Sequence, residues 1–171
     1  MTRRTMRSTA SCKNFSPNAS GFTFLVLRDN ALFSGVHGPS LASVLSVFCL
    51  VTVPAHAPLF ERGDVARRVF LIVSGSVAVT QRTGDLDTIV TVLGPGEFTG
   101  ERALLQPAPR HLWSTVCCEE TRVAVAEGEA LLAALAAMPA LGVNVARALH
   151  RRVHDAALAI DGLITGSATS P

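Results

Sequence analysis

Between residues 48 and 126 the chain is cut into short apolar, β-branched runs by polar turns. The turn signals are Arg62-Gly63-Asp64, Ser74-Gly75-Ser76, Thr83-Gly84-Asp85 and Gly94-Pro95-Gly96. They recur about every ten residues, a spacing that predicts an antiparallel sandwich or barrel of short strands. The predicted strands are Phe48–Val53, Pro58–Glu61, Val69–Val73, Val77–Arg82, Thr88–Leu93, Leu112–Cys118 and Thr121–Ala126. Pro58 opens its strand, where a missing N–H donor costs little. From Glu127 the period changes. Glu127-Gly128-Glu129 starts an Ala/Leu-rich helix running to Met138, with carboxylates in the first turn, where the helix dipole favours them. Pro139 interrupts that helix and suits the first position of another. On the second helix Leu141, Val145, Leu149, Val153, Ala156 or Ala157, Ile160 and Leu163 recur at three- and four-residue steps and form an apolar stripe. Arg147, His150, Arg151, His154, Asp155 and Asp161 fall largely off it. Three uses are open to this stripe: covering a bound ligand, packing on the sheet, or pairing with a second copy.

Composition narrows the class. With 171 residues, 49% hydrophobic and only 16% charged, the chain supports one ordinary domain with a true core rather than a disordered polymer. A net charge of +2 gives no general attraction to nucleic acid or to a membrane surface. Cys12, Cys49, Cys117 and Cys118 show no metal-ligand spacing, and a reduced cytoplasmic setting is expected. Adjacent Cys117 and Cys118 in a strand should point to opposite faces, one into the core and one outward. His150 and His154 share a helical face but have no acidic or cysteine partner beside them, so they read as a solvated basic face. No Gly-x-Ser-x-Gly elbow, Walker loop or Cys/His pair is visible, and no enzymatic activity, metal or cofactor is expected.

The amino terminus differs in character. Met1 to Arg28 lacks Asp and Glu, carries Arg3, Arg4, Arg7, Lys13 and Arg28, and is rich in Ser and Thr. That composition fits either a plain disordered basic tail or an organelle transit peptide, the alternative to a cytoplasmic location. The 13-residue apolar run Leu41–Val53 is too short to span a bilayer, which takes about twenty residues. It reads as a helix and strand of the domain, not as an export signal. The expected organisation is a tail over 1–29, one domain over 30–164 and a second tail over 165–171.

Candidate chemistry lies between Gly94 and Val116. Gly94-Pro95-Gly96-Glu97-Phe98-Thr99-Gly100 feeds a single carboxylate, Glu101, and Arg110 arrives nine residues later behind Pro109. Ala103-Leu104-Leu105 between them is long enough for about one helical turn. The first N–H groups of such a turn and its dipole favour an anion, and an arginine binds one by charge-assisted hydrogen bonds. Glu101 would repel that anion but accepts hydrogen bonds from a sugar hydroxyl. The pair suits a nucleotide whose phosphate is folded back on its ribose.

This segment resembles the phosphate-binding cassette of the cyclic nucleotide-binding domain, shared by cAMP-dependent kinase regulatory subunits, cyclic nucleotide-gated channels and catabolite-activator-type regulators. The family cassette runs Phe-Gly-Glu, an aliphatic residue, Ala-Leu, a short connection, Pro-Arg, two small residues and Thr/Ser-Val. Gly100, Glu101, Ala103, Leu104, Leu105, Pro109 and Arg110 fall on it, followed by Ser114-Thr115-Val116. Leu32-Phe33-Ser34-Gly35, Val53-Pro54-Ala55, Leu59 to Asp64 and Val69 to Val79 are similar to further parts of the fold, so the likeness covers roughly Asn30 to Val153. It implies a mainly β fold with flanking helices, an antiparallel jelly-roll sandwich or double-stranded β-helix. It also implies a non-enzymatic sensor of cAMP or cGMP, with Gly100, Glu101, Ala103, Leu104, Pro109, Arg110, Ser114 and Thr115 as ligand-binding residues. Glu101 would hold the ribose 2′-hydroxyl, Arg110 the cyclic phosphate, and the N–H of Ala103 or Leu104 the phosphate as well. The last helix would swing over the base as a lid.

The cassette departs from the family pattern at four places. Thr99 replaces a usual Phe, Arg102 stands where an aliphatic side chain is usual, Pro107 stiffens the connection, and His111-Leu112-Trp113 is bulkier and longer than the two small residues. Trp113 has two readings, a stacking face for the base or a core residue of the following strand. These departures motivate an alternative function, a degenerate fold that only mediates protein contacts. A metal-dependent cupin-like barrel shares the strand pattern but lacks its ligands. Bacterial relatives carry a helix-turn-helix after the lid, which Thr165 to Pro171 cannot form. The expected partners are therefore the nucleotide and an effector protein or larger polypeptide, not nucleic acid.

Overall fold

The computed structural model describes residues 27–84, 86–105 and 109–166; the side chains of 159, 160 and 162–166 lie outside that set. Residues 1–26 and 167–171 of the predicted tails, Cys12 among them, Asp85, Pro107 and the side chains of Ile160 and Leu163 fall outside the described residues; Leu27, placed in the first tail, is buried in the core. A 3₁₀ turn at Ala31–Phe33 and helix α1 (Gly38–Leu45) precede eight strands: β1 (Phe48–Val53), β2 (Pro58–Phe60), β3 (Arg68–Ser74), β4 (Val77–Thr83), β5 (Leu86–Leu93), β6 (Phe98–Thr99), β7 (Ser114–Cys117) and β8 (Thr121–Glu127). Helices α2 (Gly128–Ala137) and α3 (Pro139–Gly166) follow. No single described helix is long and apolar enough to cross a membrane.

The strands form two four-stranded antiparallel sheets, β1-β8-β3-β6 and β2-β7-β4-β5. The first sheet is buried on both faces, which explains why β3 and β8 read as continuous apolar runs. Val123 and Val125 of β8 and Ile72 of β3 meet Val53, Val77, Val79, Leu93 and Cys117 between the sheets. On the opposite face Ala124, Ala126, Val69 and Leu71 meet Leu32, Phe33, Val44, Leu131 and Leu141 from the helical layer. Small alanines on β8 let the helices approach closely. Cys117 is buried and Cys118 exposed, as strand alternation requires.

Beyond Thr80 the β4–β5 hairpin runs past the end of β7 and stands clear of the sandwich. Leu86 and Ile89 are exposed there, as are Val90 at the bulge and Val92 opposite Ala78. Among the described side chains, the apolar stripe of α3 packs in its first half only. Leu141 is buried and Val145 and Leu149 half-buried, whereas Val153 is 69% exposed, so the expected stripe ends where the layer beneath it ends. Of the three uses open to the stripe, its first half takes packing against the domain. Asn144 locks this half in place by donating through Nδ2 to the carbonyls of Leu32 (3.0 Å) and Ser34 (2.7 Å).

Candidate ligand-binding site

β6 reaches the site because Phe98 and Thr99 pair with Leu71 and Phe70 of β3. The chain then turns at Gly100, with φ +81°. A Cβ there would run into the Arg68 carbonyl and the Phe70 ring, so only glycine fits. Glu101–Leu104 follow as one 3₁₀ turn. Its underside is anchored in apolar contacts. Ala103 is buried against Gly128, where a Cβ would collide with the Ala103 carbonyl, and Leu104 packs among Val69, Leu131 and Leu141. Glu101 and Arg102 are left on the other side, facing the β-sandwich.

The return segment is held by backbone pairing to the loop between β2 and β3. Ala66 N–H donates to the Pro109 carbonyl (2.8 Å), His111 N–H to Asp64 (2.9 Å) and Gly63 N–H to His111 (2.9 Å). This pairing pins Arg110 at the exposed edge, where a terminal nitrogen of its guanidinium donates to the Gly63 carbonyl at 2.6 Å. Arg102 Nε donates to the Arg110 carbonyl at 2.9 Å and so ties the two halves of the cassette together.

Between the halves lies a cavity of about 240 Å³. One wall is Thr99, Gly100, Glu101 and Arg102, the other is His111, Leu112, Trp113 and Thr115, and Phe60 and Val79 complete it. Thr115 is fully buried, and its Oγ1 is the buried side-chain polar atom without a hydrogen-bond partner among the described residues. The His111 imidazole stacks on the Phe60 ring at 3.7 Å between centroids and 12° between planes. Burial holds the His111 pKa below the ordinary histidine value; Asp64 pulls it up, and Arg102 pushes it further down.

Three of the predicted residues, Gly100, Glu101 and Thr115, line this cavity; the others lie around it. The N–H of Ala103, expected to meet a phosphate, donates to the Gly100 carbonyl at 2.9 Å. Leu104 points into the helical core. Ser114 Oγ accepts the Arg62 N–H at 3.0 Å. Pro109 and Arg110 sit on the return segment, with the Arg110 guanidinium on Gly63 rather than on the cavity wall. Trp113, one of whose readings was a strand-core residue, is 43% exposed on the cavity wall, because β7 starts only at Ser114.

Arg152 of α3 escaped the sequence reasoning. It donates to the Phe98 carbonyl, lies over the Phe98 ring at 5.3 Å, and comes within 3.9 Å of the Glu101 carboxylate. Its signal was position. Leu141, Val145, Ala148 and Arg152 follow steps of four, three and four, placing Arg152 on the inward helical face.

Residues 50–138 match the model of one family, the cyclic nucleotide-binding domain. The chain belongs to that family. Its relatives include the cyclic AMP receptor protein of Thermus thermophilus, 31% identical over 136 residues, which cover 79% of this chain and 62% of the relative. The CRP-like cAMP-activated global transcriptional regulator of Mycobacterium tuberculosis is 27% identical over 129 residues, covering 75% and 57%. The crystal structure of the catabolite activator protein of T. thermophilus superposes with a TM-score of 0.66 at 31% identity, covering 78% of this chain and 62% of that one. This cyclic nucleotide-binding domain thus spans about six-tenths of the length of the curated relatives it matches. Its two antiparallel sheets with carboxy-terminal helices are the jelly-roll sandwich expected from the motif.

Proposed function

We propose that this domain is a non-enzymatic sensor that binds a cyclic nucleotide, cAMP or cGMP, in the cavity between Glu101 and Thr115. The observation that carries the reading is a cavity with polar groups on both walls. Glu101 offers an acceptor for a ribose hydroxyl on one wall, and the buried Thr115 hydroxyl on the other has no partner among the described residues. A buried hydroxyl without a partner costs about 1–3 kcal/mol, and a ligand that satisfies it recovers that cost. Trp113 on the cavity wall presents an aromatic face to a base. Arg110, the residue from which the motif leads one to expect the phosphate contact, is bonded to the Gly63 carbonyl beside the cavity.

The response runs through Arg152. This residue joins α3 to both Phe98 and Glu101, so a hydroxyl arriving at the Glu101 carboxylate competes for the group that holds the helix. A ligand shifts α3 only by as much as its affinity differs between the two arrangements. The partner that reads the shift is an effector protein or the rest of a longer polypeptide. The relatives named as transcriptional regulators extend beyond the matched region, so the expectation of no nucleic-acid partner is proposed for this domain alone.

Calorimetric titration with cAMP and with cGMP tests the reading. One nucleotide should give saturable heat, and Glu101→Gln should weaken it by about tenfold, the loss of one hydrogen bond to a charged group. Absence of saturable heat from both nucleotides refutes it. That result would favour the second reading, a fold kept only for protein contacts, which draws on the engagement of the Arg110 guanidinium by Gly63.

A further inference from the structure

Two side chains able to carry positive charge line the cavity, and neither belongs to the family motif: Arg102 stands where an aliphatic residue is usual, and His111 where a small one is. Arg102 is held by one nitrogen only. Its Nε donates to the Arg110 carbonyl, while its two terminal nitrogens have no hydrogen bond to any described residue. They present the planar fork that matches phosphate oxygens. Arg110, by contrast, is exposed, off the cavity wall and already bonded to Gly63. His111 is 6% exposed and stacked face to face on Phe60.

We propose that Arg102 and His111, from opposite walls of this cavity, form its anion-binding site, with Arg102 taking the phosphoryl oxygens and His111 gaining a proton as the anion arrives. The proposal rests on the cyclic nucleotide reading and names the phosphate contacts of that same site. In the free domain desolvation, helped by Arg102, holds the His111 pKa below the ordinary histidine value, against the pull of Asp64 from the β2–β3 loop. Glu101 shares a wall with Arg102 and faces His111 across the cavity, and Arg110 precedes His111 in the chain. A phosphodiester placed beside Arg102 screens the guanidinium and adds a negative charge next to the imidazole. Both changes favour the imidazolium, and the Phe60 ring beneath it favours the cation too. Binding therefore takes up a proton. The sign follows: affinity rises as pH falls through the ordinary histidine range near ~6.5, and levels off below the depressed value of the free domain.

Calorimetry on the full chain with cAMP at pH 5.5, 6.5 and 8.0, in two buffers of different ionisation enthalpy, reads both affinity and proton uptake. The wild type should bind several-fold more tightly at pH 5.5 than at 8.0, with uptake of a fraction of a proton near pH 6.5. Arg102→Gln should weaken binding about 10- to 100-fold at every pH, with Arg102→Lys in between. His111→Gln should abolish the uptake and flatten the profile. Thermal melts identify any variant that has lost the fold, and the lysine variant keeps the Arg102 arm interpretable if the glutamine variant has done so. Binding by folded Arg102→Gln within twofold of wild type overturns the proposal, as does uptake that persists in His111→Gln. If Arg110→Gln alone abolishes binding, this inference falls and the cyclic nucleotide reading stands. If the wild type gives no saturable heat with cAMP or cGMP, both fall.

Discussion

Thr115→Val separates folding from ligand binding in one substitution. Thr115 is 0% exposed, and its hydroxyl has no hydrogen-bond partner among the described residues. Desolvating a hydroxyl without compensation costs about 1–3 kcal/mol, and valine replaces it by a methyl group of similar size. The substituted side chain would lie beside its cross-strand neighbours Val79 and Phe60, so the new methyl meets apolar surface. Taking the lower part of the range, Thr115→Val should stabilise the domain by about 1 kcal/mol, equivalent to roughly 2–4 °C in Tm for a chain of this size. The same change deletes the group that a nucleotide would satisfy. It should weaken cyclic nucleotide binding by about fivefold, the worth of one neutral hydrogen bond. Differential scanning calorimetry reads the first quantity and isothermal titration the second. On the proposed reading the two must move in opposite directions, since an unsatisfied group held for a ligand costs stability. A less stable variant would mean that the hydroxyl already has a partner. Unchanged affinity would mean that the ligand does not reach this wall. Either result refutes the reasoning.

Two further outcomes follow from the geometry. Gly100→Ala places a Cβ at φ +81° against the Arg68 carbonyl, so it should destabilise the domain by more than about 2 kcal/mol; an unchanged urea midpoint would contradict the reading of this turn. Arg152→Gln should cost at most about 1 kcal/mol of global stability, because its contact with Glu101 is long and partly exposed. It should nonetheless speed amide hydrogen exchange in α3 beyond Leu149, and unaltered exchange there would remove Arg152 as the link between cassette and helix.

What could be read from the chain alone was whatever depends on neighbours in sequence. Turn residues every ten positions marked the strands, and β1 over Phe48–Val53 has the predicted bounds. Prolines and glycines placed the break between α2 and α3, and strand alternation separated Cys117 from Cys118. The cassette motif located the turn at Gly100 and put Glu101 and Thr115 within reach of a common cavity. β6 was not visible, because two residues carry no periodicity and Phe98 and Thr99 become a strand only by pairing with β3. Nor was the true start of β7. Pro109 and His111 bond to the β2–β3 loop instead of extending the strand, which leaves Trp113 on the cavity wall.

The choice of which cation faces the cavity belonged to tertiary structure. Arg110 and Arg102 are equally charged, but a carbonyl 47 residues away in the chain holds one at the edge, while the 3₁₀ turn aims the other inward. Arg152 likewise acts through Phe98, a partner 54 residues distant. Local patterns are set by torsional preference and by the alternation of burial along a few residues. The direction of a long polar side chain is set by whichever backbone carbonyl the folded chain brings within about 3 Å of it, and only the fold determines which one that is.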